Sequence, residues 1–184
     1  MTIKYIVYGG SFDPITFAHV GMARLARRLY PTAELYWCLG DTHAFKDKLS
    51  PYEFRMSLIQ KAVPDASIIS MGKYMCDFLY NFPFEPDNTT ILVGDDILNE
   101  IHLWKDWEEL VETYHFTIVT RPAMKKEKIC VDNFKRMRYT DVIENEGVLR
   151  TSSSEVRQMV KEGKKLYGYI PRQIRYEVEK YYVN

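Results

Sequence analysis

Gly9-Gly10-Ser11-Phe12-Asp13-Pro14 follows the apolar stretch Ile3 to Tyr8 and runs into Ile15-Thr16-Phe17-Ala18-His19-Val20, an order of residue types that suits a phosphate group. Glycine lets a backbone turn sharply and approach a ligand closely, and Pro14 stiffens the turn. Met22, Leu25, Ala26 and Leu29 then recur at i, i+3, i+4 and i+7, so an amphipathic helix is expected from Thr16 or Phe17. Thr16 and His19 fall about one turn apart at its start, where free backbone N–H groups and the helix dipole favour anions. A histidine there can donate hydrogen bonds to phosphate oxygens. No Gly-Lys-Ser/Thr follows, which excludes a Walker loop, and the glycines lack the Gly-x-Gly-x-x-Gly spacing of a dinucleotide fingerprint. Taken alone, the segment is equally an unliganded strand-to-helix turn.

A second constellation is Thr151-Ser152-Ser153-Ser154-Glu155-Val156-Arg157. Ser152 with Glu155 forms a capping box, so a helix starts here. Arg157 falls in its first turns, where a cation gains nothing from the dipole and a nearby anion would account for it. The plain alternative is a serine-rich cap with a solvated arginine. Gly94-Asp95-Asp96 closes the apolar run Thr90–Val93, and its adjacent carboxylates can hold a metal, cap a helix or accept ribose hydroxyls. Lys46 and Lys48 stand in the charged stretch Asp41 to Lys48, and Trp104 and Trp107 offer flat faces that serve packing or a planar ligand.

These residues need a scaffold. Apolar runs at Ile3–Tyr8, Glu34–Leu39, Ser67–Ser70, Thr90–Val93 and Phe116–Thr120 alternate with helical patterns, which predicts an α/β fold with a parallel sheet. Ser50-Pro51-Tyr52-Glu53 reads as another capping box with proline at the first helical position, placing Phe54, Leu58 and Ala62 against the core. Asn81–Asn88 reads as a loop and Lys125–Lys135 as a charged, exposed excursion. The 184 residues are expected to form a single domain, 1–184, whose C-terminal helical part begins at about 151. Lys plus Arg equals Asp plus Glu at 25 each, so no global positive field recruits nucleic acid and any phosphate site must be local. Cys38, Cys76 and Cys130 form no CxxC pair, which fits a reduced cytoplasm. No apolar run approaches the roughly 20 residues that would cross a membrane. Nothing in the patterning specifies an oligomeric state.

The first segment resembles the signature of the nucleotidyltransferase superfamily, Gly-x-Phe-Asp-Pro leading into (His/Thr)-x-Gly-His, with Ala18 in place of the last glycine. Thr151 through Arg157 resembles its second signature, Ile-Ser-Ser-Thr-x-Ile-Arg. Gly94-Asp95-Asp96-Ile97-Leu98 with Trp104 is similar to the corresponding stretch of nicotinate and nicotinamide mononucleotide adenylyltransferases. Tyr74-Met75-Cys76-Asp77-Phe78-Leu79 echoes that family's Tyr-Thr-x-Asp-Thr-Leu, with Met75 for the threonine. Thr120-Arg121-Pro122 and Ile170-Pro171 also match, as does the spacing of His43, Lys46, Ser50 and Arg55.

The resemblance implies a doubly wound, Rossmann-like sheet with helices on both faces and an adenylyltransferase of NAD biosynthesis. It implies ATP at Gly9, Gly10, Ser11, Phe12, His19, Gly94, Asp96, Ser153 and Arg157, and a pyridine mononucleotide at Lys46, Tyr74, Trp104 and Arg121. Catalysis would fall to His19, Thr16, Lys46 and Arg157, with Mg2+ carried mainly by ATP and no dedicated protein metal site. Lys48 is an alternative to Lys46. The expected partners are these two nucleotides, with neither nucleic acid nor membrane. Pantetheine-phosphate adenylyltransferases and cytidylyltransferases share the first motif, and a nucleotide sensor without turnover would retain it.

Overall fold

The computed structural model describes residues 2–42, 49–120, 136–137, 139–144 and 151–183. Six strands, β1 (Tyr5–Gly10), β2 (Glu34–Gly40), β3 (Ser67–Gly72), β4 (Thr89–Gly94), β5 (His115–Val119) and β6 (Tyr139–Ile143), form one sheet in the order β3-β2-β1-β4-β5-β6. Every pairing is parallel. This is the doubly wound order, with its crevice where the chain reverses direction between β1 and β4. The helices are α1 (Phe17–Leu29), α2 (Tyr52–Ala62), α3 (Met75–Asn81), α4 (Trp107–Thr113), α5 (Ser153–Lys161) and α6 (Arg175–Tyr182).

Strand periodicity sorts the core into two layers. Ile6, Tyr8, Leu35, Trp37, Leu39 and Leu92 pack with α1, α2, α5 and α6 on one face. Val7, Cys38, Ile91, Val93, Phe116 and Ile118 pack with α3 and α4 on the other. Successive residues of a strand point to opposite faces, and a parallel sheet covered on both sides needs both sets apolar.

Several details differ from the sequence reading. The buried stripe of α1 is Val20, Ala23 and Ala26, flanked by the partly buried Met22 and Leu25, while Leu29 is 45 % exposed at the helix end. The α2 start has Pro51 at the cap position and no side-chain cap, because the Ser50 hydroxyl is engaged by Tyr182 of α6 at 3.0 Å. Its buried residues are Arg55, Leu58 and Ile59, with Phe54 and Ala62 partly buried beside them. A short 3-10 turn, Pro86–Asn88, closes the stretch read as a loop. Strand β6 was not anticipated; Asp141 interrupts its apolar character, as suits a strand paired on one side with β5. Cys38 and Cys76 are free and buried, and burial raises both thiols, Cys76 to about 11, so neither is poised as a thiolate. Cys130 and the Lys125–Lys135 stretch lie outside the described residues. Among the described residues no helix is long and apolar enough to cross a membrane.

At the amino ends of β4 and β5 a polar cluster is buried against α1. Thr90 Oγ1 lies 3.1 Å from His115 Nδ1 and 2.8 Å from Thr117 Oγ1, and the Tyr30 hydroxyl reaches Thr117 and donates to Asp141. Burial holds His115 below the usual histidine range, although Asp141, 3.4 Å from its Nε2, pulls the other way. The unfolded chain therefore binds this proton more readily, and stability is lost as pH falls below the unfolded value of about 6.5. Between about pH 7.5 and about pH 5.5 the melting temperature of the wild type is expected to fall further than that of His115→Gln, which has no imidazole to charge. Equal losses in scanning calorimetry would place the acid sensitivity elsewhere.

Candidate active site

The carboxyl ends of the strands open into a cleft of about 430 Å³, within the size range of small-ligand sites. Gly9, Gly10, Ser11, Phe12, Ala18 and His19 line one side of it and Thr151 to Ser154 another, and Tyr74, Asp96 and Trp104 are among the residues of the facing wall.

The two glycines do not make the turn. Both still pair with β2, Gly9 opposite Cys38 and Gly10 opposite Leu39. Their missing side chains answer to close packing: a Cβ on Gly9 would lie 2.2 Å from Met75 Cε, and one on Gly10 would lie 2.9 Å from the Phe12 ring. The chain reverses instead at Phe12, whose φ of 44° is left-handed, followed by the cis bond from Asp13 to Pro14. A left-handed phenylalanine costs on the order of 1–2 kcal/mol. Its ring is held by Tyr8, Trp37 and His19, each with centroids 5.2 Å away, which offsets that cost.

Behind this turn, donors from distant segments bind its carbonyl oxygens. Arg55 Nη1 donates to Ser11 O at 2.8 Å, Arg157 Nη1 to Asp13 O at 2.6 Å and Ser153 Oγ to Pro14 O at 2.9 Å. The Asp13 carboxylate accepts from Tyr182 at 2.5 Å and from the Ser50 N–H at 3.4 Å. Arg55, 0 % exposed, also donates to Ser50 O at 2.8 Å and Asp41 O at 3.4 Å, so one planar fork ties the turn, the β2 exit and the α2 start together.

Thr16 caps α1 in a reciprocal box with His19. The Thr16 N–H donates to His19 Nδ1 at 3.0 Å, which assigns Nδ1 as acceptor and leaves the proton of the neutral ring on Nε2. The Thr16 hydroxyl donates to Thr151 O at 3.0 Å. Thr16, expected among the catalytic residues, is 0 % exposed and is not among the residues that line the cleft; it joins the two helix starts and donates to the His19 ring. Arg157 likewise points to Asp13 O and Ser154 Oγ rather than into the cleft. At the α5 start, the Ser152–Glu155 capping box is formed as expected.

On the facing wall, Asp96 lines the cleft beside Gly94, whereas Asp95 is buried. Trp104 borders the cleft; Trp107 instead lies under the Arg136 guanidinium at 4.6 Å. Tyr74 has ammonium groups over its ring from Lys73 at 5.1 Å and Lys105 at 5.4 Å. Sequence reading passed over both lysines, although each adjoins an aromatic residue it had selected. His43, Lys46, Lys48 and Arg121 lie outside the described residues.

Residues 7–159 match the cytidylyltransferase-like family model. A probable nicotinate-nucleotide adenylyltransferase of Clostridium botulinum is 26 % identical over 189 residues, covering 94 % of each chain. One from Thermosipho melanesiensis is 25 % identical over 195 residues, covering 97 % of this chain and 96 % of the relative. Among solved structures, the Plasmodium falciparum nicotinic acid mononucleotide adenylyltransferase complexed with NaAD superimposes with a TM-score of 0.81 at 22 % identity, covering 97 % of this chain and 96 % of the other.

The clamp behind the turn can be tested. Arg55→Met removes the donors to two buried carbonyls and one part-buried carbonyl and is expected to lower unfolding stability in urea by at least ~2 kcal/mol, while Arg55→Lys, keeping charge but not the fork, recovers only part. Wild-type stability in Arg55→Met would show that the turn holds its shape without the clamp.

Proposed function

The chain belongs to the cytidylyltransferase-like family, and from that premise we propose that it transfers AMP from ATP to nicotinate mononucleotide, releasing pyrophosphate, in the biosynthesis of pyridine dinucleotides. The observation that carries this reading is the cleft itself, where an imidazole held in its Nε2–H tautomer and two helix starts face an aromatic wall. The acceptor follows the relatives, which are named as nicotinate-nucleotide adenylyltransferases.

In this reaction an oxygen of the mononucleotide 5′-phosphate forms a bond to the α-phosphorus of ATP. The bond from that phosphorus to the oxygen bridging the β-phosphate breaks, and pyrophosphate leaves with the electron pair. No covalent enzyme intermediate is needed, so catalysis rests on positioning and on stabilising charge. His19 donates from Nε2 to the α-phosphoryl oxygens. Gly9 to Phe12 admit the triphosphate close to the backbone, and the N–H groups of the α5 start, with Ser153, receive the departing pyrophosphate. Arg157 holds the turn from behind and adds its charge there. Thr16 acts through His19 as a positioning residue. Gly94 and Asp96 take the adenosine ribose, and Tyr74 and Trp104 the pyridine ring. Lys46 neutralises the approaching phosphates, and Arg121 serves the mononucleotide.

Magnesium enters as part of the Mg–ATP substrate. Among the described residues, Cys76, Asp77 and Asp106 have ligand spacing, but Lys105 Nζ sits 2.6 Å from Asp77 Oδ1 and Asp77 does not line the cleft. The carboxylates that do are Asp96 and Glu100. A cytoplasmic setting suits such an enzyme with free cysteines.

Pyrophosphate release from Mg–ATP with nicotinate mononucleotide, nicotinamide mononucleotide and phosphopantetheine in parallel tests the reading. Turnover with a pyridine nucleotide supports it, turnover with phosphopantetheine alone moves the acceptor, and silence with all three indicates a nucleotide sensor. His19→Ala should lower kcat at least ~100-fold, on the scale of a lost oxyanion donor; near-normal turnover would remove His19 from the mechanism. Arg157→Ala should weaken ATP and pyrophosphate more than the mononucleotide, and equal weakening would count against its placement.

A further inference from the structure

Tyr74 is approached by two cations from separate segments, Lys73 from the turn leading into α3 and Lys105 from the residue after Trp104. All four residues border the cleft. Two ammonium groups gathered at one ring repel each other, and a ring quadrupole compensates only weakly at an exposed site. Lys105 is paired with Asp77 at 2.6 Å. Lys73 has no carboxylate partner among the described residues. The cleft therefore carries, beside its aromatic wall, one uncompensated cation and a second whose charge is shared with a carboxylate outside the lining. Its own carboxylates, Asp96 and Glu100, belong to the segment after β4. A flat ring bearing an anionic substituent is the ligand that such a wall recognises: the ring lies against Tyr74 and Trp104, and the anion balances the lysines.

We propose that Lys73, assisted by Lys105, selects a carboxylate on the pyridine ring over the uncharged carboxamide, with Asp77 setting how much of the Lys105 charge is available. This rests on the adenylyltransferase reading above and adds its acid-over-amide determinant. Met75, in the position of a threonine in the resembling family, is buried against Gly9 and offers no hydroxyl, which leaves the task to the neighbouring charges.

The test is kcat/KM for nicotinate and nicotinamide mononucleotide in the wild type, Lys73→Met and Asp77→Asn, expressed as the acid-to-amide ratio within each protein so that differences in folded fraction cancel. The wild type should prefer the acid. Lys73→Met should lower the ratio about tenfold, the scale of one charge-assisted hydrogen bond. Asp77→Asn should raise it by freeing Lys105, a direction that mere structural damage would not produce. An unchanged ratio in Lys73→Met, a fall in Asp77→Asn or a wild-type preference for the amide would each overturn the inference while leaving adenylyl transfer standing. Wild-type silence with both acceptors would overturn the transfer reaction itself and this inference with it.

Discussion

The shape of the cleft depends on which way the peptide groups between Ser11 and Thr16 face. A phosphate can approach a backbone only where N–H groups point at it, and each planar peptide sends its C=O and the following N–H in opposed directions when trans. Ser11 O and Pro14 O are bound from behind by Arg55 and Ser153, so the N–H groups of Phe12 and Ile15 are turned away from those donors. The donors come from α2 and α5, and Tyr182 of α6 holds the intervening Asp13 carboxylate. Helices far apart in sequence thus specify one short turn, and a change in any of them is transmitted to it.

The same arrangement couples tautomer to topology. The Thr16 hydroxyl joins the α1 cap to Thr151, which precedes α5, while its N–H fixes His19 Nδ1 as acceptor. The two helix starts are therefore fastened directly to each other by a buried bond rather than each supported alone. The Phe12 ring, edge-on to His19 at 80° and packed on Trp37 of β2, links the imidazole to the sheet. The left-handed backbone at Phe12 is what brings that ring under the histidine, so local strain and side-chain orientation are one feature.

Local rules made much of this legible in the sequence. Strand and helix alternation sufficed for five of the strands, because parallel strands covered on both faces are apolar throughout. β6 escaped because Asp141, buried-side partner of Tyr30 and His115, breaks the apolar run. Capping chemistry was readable at Ser152, where both partners lie within one turn, but not at Ser50, whose hydroxyl is claimed by a residue 132 positions away. Spacing alone also cannot show that Arg55, in an amphipathic helix, is wholly interior, since its partners are backbone carbonyls of three segments and backbone acceptors leave no mark in a sequence. Glycines at 9 and 10 read from the sequence as the turn, but both lie in β1 and make room for Met75 and Phe12, because a sequence does not distinguish absence of a side chain for φ from absence for space.

A chain with no net charge can still present a positive site if its interior cations are left unneutralised. Arg55 and Arg157 bind carbonyl and hydroxyl oxygens, which satisfy their N–H groups without cancelling their charge. Burial lowers the Arg55 pKa, but a guanidinium stays protonated in proteins, so the charge remains. The Asp13 carboxylate beside them takes its hydrogen bonds from Tyr182 and a backbone N–H, and both Asp13 and Asp41 act on the Arg55 charge through space. Arg55 is buried and its charge is weakly screened, whereas Arg157 is half-buried. Both guanidinium groups stand behind the turn and leave the space of the cleft clear. The guanidinium groups behind the turn are thus set apart from the two lysines at the aromatic wall, and the proposed transfer reaction assigns these two ends of the cleft to different parts of its substrates.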